Sequence, residues 1–317
     1  MAKGSFEPTG LEPAPPPVEG EPVIRDGNPA WVRRKRSLLG LWHTYRRSPM
    51  GMVGLAIMIV FVLLAVFGPM LVDPASIDPS TAPGEPFEPP PAYVLGTDNF
   101  GRPVLALLID GARVSLVVGF AATVMTMVIG ASVGIAGGYL GGKADGVLNA
   151  VTNWFLVIPW VALAIVLAAV LGPTLLNIII VIGITSWAGT ARLVRADTLS
   201  VKERPYVERS RALGAGHWHL VSRHILPNVF PVIFANTILV VALAILSETT
   251  LSLLGLGDPT RVSWGSMIDE AFSAGALSAG YWWWLIPPGV MIVLVVLAFT
   301  MCGYALDEVI NPKLRSR

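Results

Sequence analysis

Five stretches of this chain contain no Asp, Glu, Lys or Arg: 48–72, 114–142, 146–191, 225–247 and 271–306. They are 25, 29, 46, 23 and 36 residues long. A helix that crosses the hydrocarbon core of a bilayer needs roughly 20 apolar residues. The 46-residue stretch is long enough for two crossings, and Gly172-Pro173 near its middle reads as a turn. The pattern therefore predicts six transmembrane helices, at 50–72, 114–139, 147–171, 174–195, 228–252 and 282–306. The fold class is an all-α polytopic membrane protein.

Composition agrees. Of the 317 residues, 54% are hydrophobic and 14% charged, where soluble domains carry about 25% charged residues. An ordinary soluble protein would have to bury all of these segments in a core of unusual size. The first 47 residues are polar and proline-rich, with no cleavage-like site after a short apolar stretch. The first apolar run thus reads as an anchor that stays in the mature chain. The single cysteine, Cys302, excludes an internal disulfide and, within the last apolar run, reads as a packing residue.

The net charge of +1 is uninformative, but its distribution is not. With six spans, the N-terminal tail, the loop 140–146, the region 192–223 and the C-terminal tail all fall on one side, and they hold 19 of the 22 Lys and Arg residues. The positive-inside rule makes that side cytoplasmic and places both termini there. The opposite loop 73–103 carries Asp73, Asp78, Glu85, Glu88 and Asp98. An odd number of spans would destroy this asymmetry.

The segments follow from these boundaries. Residues 1–30, rich in Pro, Gly and Glu, read as a disordered cytoplasmic tail. Residues 31–49 mix Trp31, Leu38, Leu39, Leu41 and Trp42 with cations, the composition of a basic interfacial helix on anionic lipid; lying against a span, the cluster argues for membrane lipid and not nucleic acid. After the first span, 50–72, comes the proline-rich extracytoplasmic loop 73–103. Such loops are often functional or disordered. Residues 104–310 form a core of five spans with a charged loop at 198–227. Asp110 and Arg113, three apart, can pair on a helix at the membrane boundary. Tyr281-Trp282-Trp283-Trp284 opens the last span as an aromatic belt or as an outer packing cluster.

Candidate chemistry is sparse. The spans hold no Ser/His pair, paired Asp or HExxH arrangement, so an intramembrane enzyme finds no support. His217, His219 and His224 lack a Cys or carboxylate set to complete a metal site. No GxxxxGK[ST] loop is present, so any ATP hydrolysis must come from a partner. Polar residues inside the spans include Asn149, Asn153, Asn177, Thr185, Ser186 and Asn236. Asn153, Asn177 and Asn236, with the carboxylate of Glu248, are candidates for a translocation path; an ionisable group in a span is either functional or exposed at a helix end.

The most informative stretch is 201–227, a charged insert between apolar runs. Pro205 suits the first turn of a helix and Gly214 its left-handed end. Between them Val207, Ala212 and Leu213 offer apolar contact, and Glu208, Arg209 and Arg211 polar contact. The order Tyr206-Val207-Glu208, Ala212-Leu213-Gly214-Ala215 and Leu226-Pro227 resembles the coupling loop of ABC importer permeases. Three more blocks agree. Gly96-Thr97-Asp98 through Gly101-Arg102 to Asp110 and Arg113 resembles the opening of the conserved region in dipeptide/oligopeptide-type permeases, in the second permease of the pair. Ala188-Gly189 through Arg192-Leu193-Val194-Arg195 follows, and then Leu251 to Gly257 with Ser263-Trp264-Gly265. One departure stands out: the family's Glu-Ala-Ala triplet is Glu208-Arg209-Ser210 here, with Arg209 either a further contact to an acidic groove or a solvated charge.

The resemblance implies a type I ABC importer permease fold and a non-catalytic subunit that moves peptides by alternating access. It also implies partners: a homologous second permease, two ATPase subunits or domains that carry ATP and Mg, and an extracytoplasmic solute-binding protein. No cofactor is implied for this chain. The same machinery also serves nickel, oligosaccharides and other small solutes. An ATP-independent channel is the rival from another class.

Overall fold

The computed structural model describes residues 42–310. The tail 1–30 and most of the expected interfacial helix 31–49 lie outside the described residues. Ser48 caps the first long helix, α1 (Pro49–Leu71), by accepting from the Gly51 N–H, with Pro49 at its first position. The others are α2 (Val104–Leu140), α3 (Gly142–Val157), α4 (Trp160–Leu171), α5 (Leu175–Lys202), α6 (Pro205–Ala212), α7 (Leu226–Leu251), α8 (Trp264–Ser273) and α9 (Trp282–Ile310). The described residues contain no strand beyond one isolated bridge, Thr97 to Pro103.

Five helical runs are long and apolar enough to cross a membrane: α1, α2, α5, the run His217–Leu256 that contains α7, and α9. A sixth crossing results if α3 and α4 count as one span, but they meet at 91°. The straight helix expected over 147–171 is therefore corrected to a broken pair. Pro159 has no N–H to donate, and the residue before a proline is pushed out of the helical region. Ile158 accordingly sits at φ −68°, ψ 130°.

The second span also departs from expectation, since α2 starts at Val104 and not at 114. A charge marks the edge of the apolar slab, whereas the helix continues through Asp110 and Arg113 toward Pro103. At 37 residues, α2 is about 55 Å long, well beyond a hydrocarbon core of about 30 Å.

Helix packing rests on small residues. Gly130, Gly134 and Gly138 form one stripe of α2 against α5, which runs parallel to it. A Cβ added at each would come within 2.7 Å of Thr190 Cβ, 2.6 Å of the Ala191 carbonyl oxygen and 2.8 Å of Thr198 Cβ, respectively. In lipid, such stripes let backbones approach closely enough for dispersion to hold them. Gly51 and Gly54 seat α1 on the far end of α9, near Ala305 and Met301. Larger side chains fill the remaining space. One core centres on Phe61, Trp264, Trp284 and Phe299, a second on Val118, Ala164 and Ile182, and a third on Val194, Val207, Leu220 and Ile225. At the end of α2 toward α6, Arg195 of α5 forks onto Asp145 of α3 through Nε (2.5 Å) and Nη2 (2.6 Å).

Candidate functional site

Three places carry the residues singled out by sequence. The first is the loop after α5. Pro205 opens α6, and Gly214 closes it at φ 86°. The Gly214 N–H donates to the Arg211 carbonyl and the Ala215 N–H to the Ser210 carbonyl, the paired bonds of a Schellman cap. Val207 is fully buried in the core with Val201, Leu220 and Ile225, and pins the helix by one side chain. Tyr206, Glu208, Arg209, Arg211, Ala212 and Leu213 are exposed, Leu213 at 82%. None of Glu208, Arg209 and Arg211 joins an ion pair among the described residues. The chain returns through His217–Leu220, a π-turn over Val221–Ile225, and Leu226-Pro227 at the start of α7. Tyr139 and the His217 ring nitrogen Nδ1 share a hydrogen bond of 2.7 Å that ties the return to α2. Asn228 Nδ2 donates to the His224 carbonyl within the π-turn (2.7 Å).

The second place is the segment before α2, at the opposite end of the helices. Gly96 and Gly101 both take positive φ, 64° and 79°. Between them Asp98, fully buried, accepts from the N–H groups of Phe100 and Arg102 and from Arg102 Nε at 2.5 Å. Arg102 Nη2 also donates to Glu270 of α8 at 2.6 Å. Burial raises the pKa of Glu270 despite the pull of Arg102 beside it. Thr97 accepts from the Glu88 N–H and donates to the Glu85 carbonyl, and its own carbonyl accepts from Trp283 Nε1 at 3.2 Å. The proline-rich loop is thus fastened to α8 and α9. Trp283 and Trp284 are buried and Tyr281 stacks on Phe87 at 4.6 Å, so the aromatic run is mainly a packing cluster with Trp282 alone projecting. Asp110 and Arg113 form no ion pair with each other; Asp110 is half-buried and Arg113 exposed. Glu270, the partner that Arg102 does find, is 168 residues away and has no signature in spacing.

The third place is a cavity of about 600 Å³ at the α3–α4 break. Phe155 to Trp160 form one wall, Ile182 to Gly189 of α5 another, Val240 to Thr250 of α7 a third, and Thr126 of α2 reaches it as well. Trp160 Nε1 donates to Thr185 Oγ1 at 3.0 Å, which holds the indole against α5. Thr185 and Ser186, polar residues noted in the sequence, line this cavity. The four nominated for a path stand elsewhere. Asn153 accepts from Arg192 at 2.9 Å. Asn177 donates to the carbonyls of Leu171 and Gly172 and closes the turn after α4. Asn236 donates to Thr190 Oγ1 at 3.2 Å and ties α7 to α5. Glu248, fully buried, accepts from Ser252 Oγ at 2.8 Å and Ser115 Oγ at 3.4 Å. The signal for the cavity was Pro159 inside the longest charge-free run.

The family described as binding-protein-dependent transport system inner membrane component matches residues 127–316, which take in the cavity lining except Thr126, the loop and α7 to α9. The chain belongs to this family. A second match, to the N-terminal TM domain of oligopeptide transport permease C, covers residues 39–90 of the permease. Among curated relatives, the oligopeptide transport system permease protein OppC of Bacillus subtilis is 34% identical over 93% of the permease and 97% of its own length. The dipeptide transport system permease protein DppC of the same organism is 33% identical over 86% and 85%. A chain of the MetNI methionine ABC transporter, solved in inward-facing conformations, shares the fold, with a TM-score of 0.54 at 20% identity over 66% of the permease and 98% of that chain. The type I ABC permease fold and the peptide-permease likeness expected from the sequence blocks both hold. With its apolar helices, the permease is a multi-pass protein of the cytoplasmic membrane.

Proposed function

We propose that this permease is the membrane-spanning subunit of an ATP-driven importer that carries peptides into the cytoplasm. The observation that carries the reading is α6: a capped, two-turn helix anchored by buried Val207 and by Tyr206 against the His224 ring, with Glu208, Arg209, Arg211 and Leu213 all exposed to solvent. A short rigid element with an unpartnered mixed surface is what transmission of force from an ATPase requires. In this reading α6 sits in a groove of an ATPase, and one of two ATPase subunits or domains, which hold ATP and Mg, docks here. A homologous second permease completes the pathway, and an extracytoplasmic binding protein delivers substrate to the side of Asp98 and Arg102. The chain itself binds no cofactor and performs no chemistry. Both termini lie in the cytoplasm, following the Lys and Arg bias. Peptide is the substrate class because the two Bacillus subtilis relatives are described as dipeptide and oligopeptide permeases. Closure of the ATPases favours one arrangement of the spans only through differential contact with α6.

The test is co-purification of the wild-type chain and a Glu208→Ala/Arg211→Ala double variant from cells that make the complete transporter. The wild type should bring down an ATPase stimulated by the binding protein, and the double variant should lose that stimulation while keeping its fold. An unchanged double variant would remove α6 from the coupling role.

A further inference from the structure

We infer that Asp145 of α3 is a positioning residue for transport: through Arg195 it makes α3 follow α5, so that a displacement of α6 reaches the bend at Ile158-Pro159. The inference rests on the importer reading and adds to it the element that moves with α6.

Helix α3 is jointed at both ends. Toward α2 stand Gly141 and Gly142 at φ 70° and 53°, a conformation that glycine adopts freely. A Cβ on Gly142 would meet nothing within 4 Å, so this glycine serves the backbone and not the packing. At the other end Ile158 is extended and α4 leaves at 91°. Neither joint fixes the direction of α3. Burial does not fix it either. Of its 16 residues Thr152 alone is buried, while Val147, Val151, Trp154 and Val157 are exposed.

What holds α3 sideways is mostly polar and leads to one helix. Arg195 of α5 donates from Nε and Nη2 to the two carboxylate oxygens of Asp145, at 2.5 and 2.6 Å. Arg192, nearly one turn earlier on α5, donates to Asn153 at 2.9 Å. The Phe155 ring then meets Trp187 edge-on at 5.1 Å, and Trp160, beyond the bend, donates to Thr185. Positions rise along α3 as they fall along α5, so the two are laced antiparallel from the fork to the bend. Helix α2 leaves room for the fork: a Cβ on Gly137 would stand 3.3 Å from Asp145 Oδ1. A two-point fork fixes orientation as well as distance, whereas the single bond at Asn153 leaves a swivel. The Asp145 and Arg195 side chains are 19% and 30% exposed. A pair this open to solvent contributes modestly to stability; what it supplies is direction.

The link continues to α6. Helix α5 runs to Lys202 and α6 begins at Pro205, and Val207 is buried with Val194 and Val201 of α5. A push on α6 therefore moves the end of α5, the fork carries α3 with it, and the bend turns.

The test uses the complete transporter in proteoliposomes, with trialanine as the probe. Asp145→Ala and Arg195→Ala should each lower the trialanine taken up per ATP hydrolysed by at least about fivefold, the lower end of coupling between sites. The double variant should lose no more than either single one, because both act through one link. Arg195→Lys keeps the charge without the fork, and it should lower the ratio as well. Melting of the assembled transporter should stay close to wild type throughout. An unchanged ratio, a Lys variant equal to wild type, losses that multiply in the double variant, or uptake and hydrolysis that fall together would overturn the proposal. Spin labels at Val157→Cys and Ser200→Cys give a second readout, the buried Cys302 staying unlabelled. Their distance should be single and narrow with Asp145 in place and broad in Asp145→Ala; equal widths would overturn the proposal. The label contrast needs no ATP. A transporter that shows it but takes up no trialanine with ATP defeats the importer reading alone.

Discussion

Glu248 meets no cation among the described residues, yet it lies wholly out of solvent. Its oxygens accept from Ser252 and Ser115, and Ser115 Oγ in turn accepts from the Trp264 N–H at 3.3 Å. The carboxyl therefore holds α2, α7 and the start of α8 together. Glu248→Ala would leave two buried hydroxyls unpaired, a loss of about 1–3 kcal/mol. It should lower the melting temperature of the purified permease, with Glu248→Gln falling between the two. Equal melting of Ala and wild type would show that the hydroxyls find other partners. The sequence flagged this residue because a carboxylate in a span is rare, but its role depends on Ser115, 133 positions away. Thr126 and Thr198 carried no flag at all, since a threonine in a helix usually satisfies itself and only the fold reveals that these two do not.

The glycine stripe of α2 belongs to the scale of elements. Gly134→Leu would drive a side chain into the Ala191 carbonyl and the Val194 side chain. Overpacking of this kind costs about 1–3 kcal/mol, and the expected result is a lower melting temperature with α6 still able to bind ATPase. A change at Gly146, where an added Cβ meets nothing within 4 Å, should leave melting nearly unaffected. The spans were legible because lipid demands about 20 apolar residues for each crossing. The bend was not. Pro69, Pro231, Pro287 and Pro288 all sit inside helices that continue past them. Proline alone does not distinguish a break from a tolerated kink; at Pro159 the chain does break, with Ile158 extended and Trp160 held on Thr185. The α6 helix was legible for the opposite reason: Pro205 and Gly214 act locally and need no distant partner.

At the scale of the whole molecule, apolar exposure divides into two kinds. Along α1, residues such as Val53, Val60, Val66 and Met70 face outward over the full helix, as lipid-facing surface does. Leu213 and Trp218, exposed at 82% and 81%, instead lie in the loop between spans. In the orientation proposed above, that loop faces water until an ATPase covers it. The consequence concerns biosynthesis. A permease made in excess of its ATPases displays two large sticky side chains where chaperones and proteases search, so subunit supply should be policed at this loop. In a pulse-chase experiment the chain made alone should disappear faster than the chain made with its ATPases, and Leu213→Ser/Trp218→Ser should lengthen the half-life of the lone chain only. The surface that lets the transporter use ATP would then also set how many copies of the orphan subunit a cell keeps.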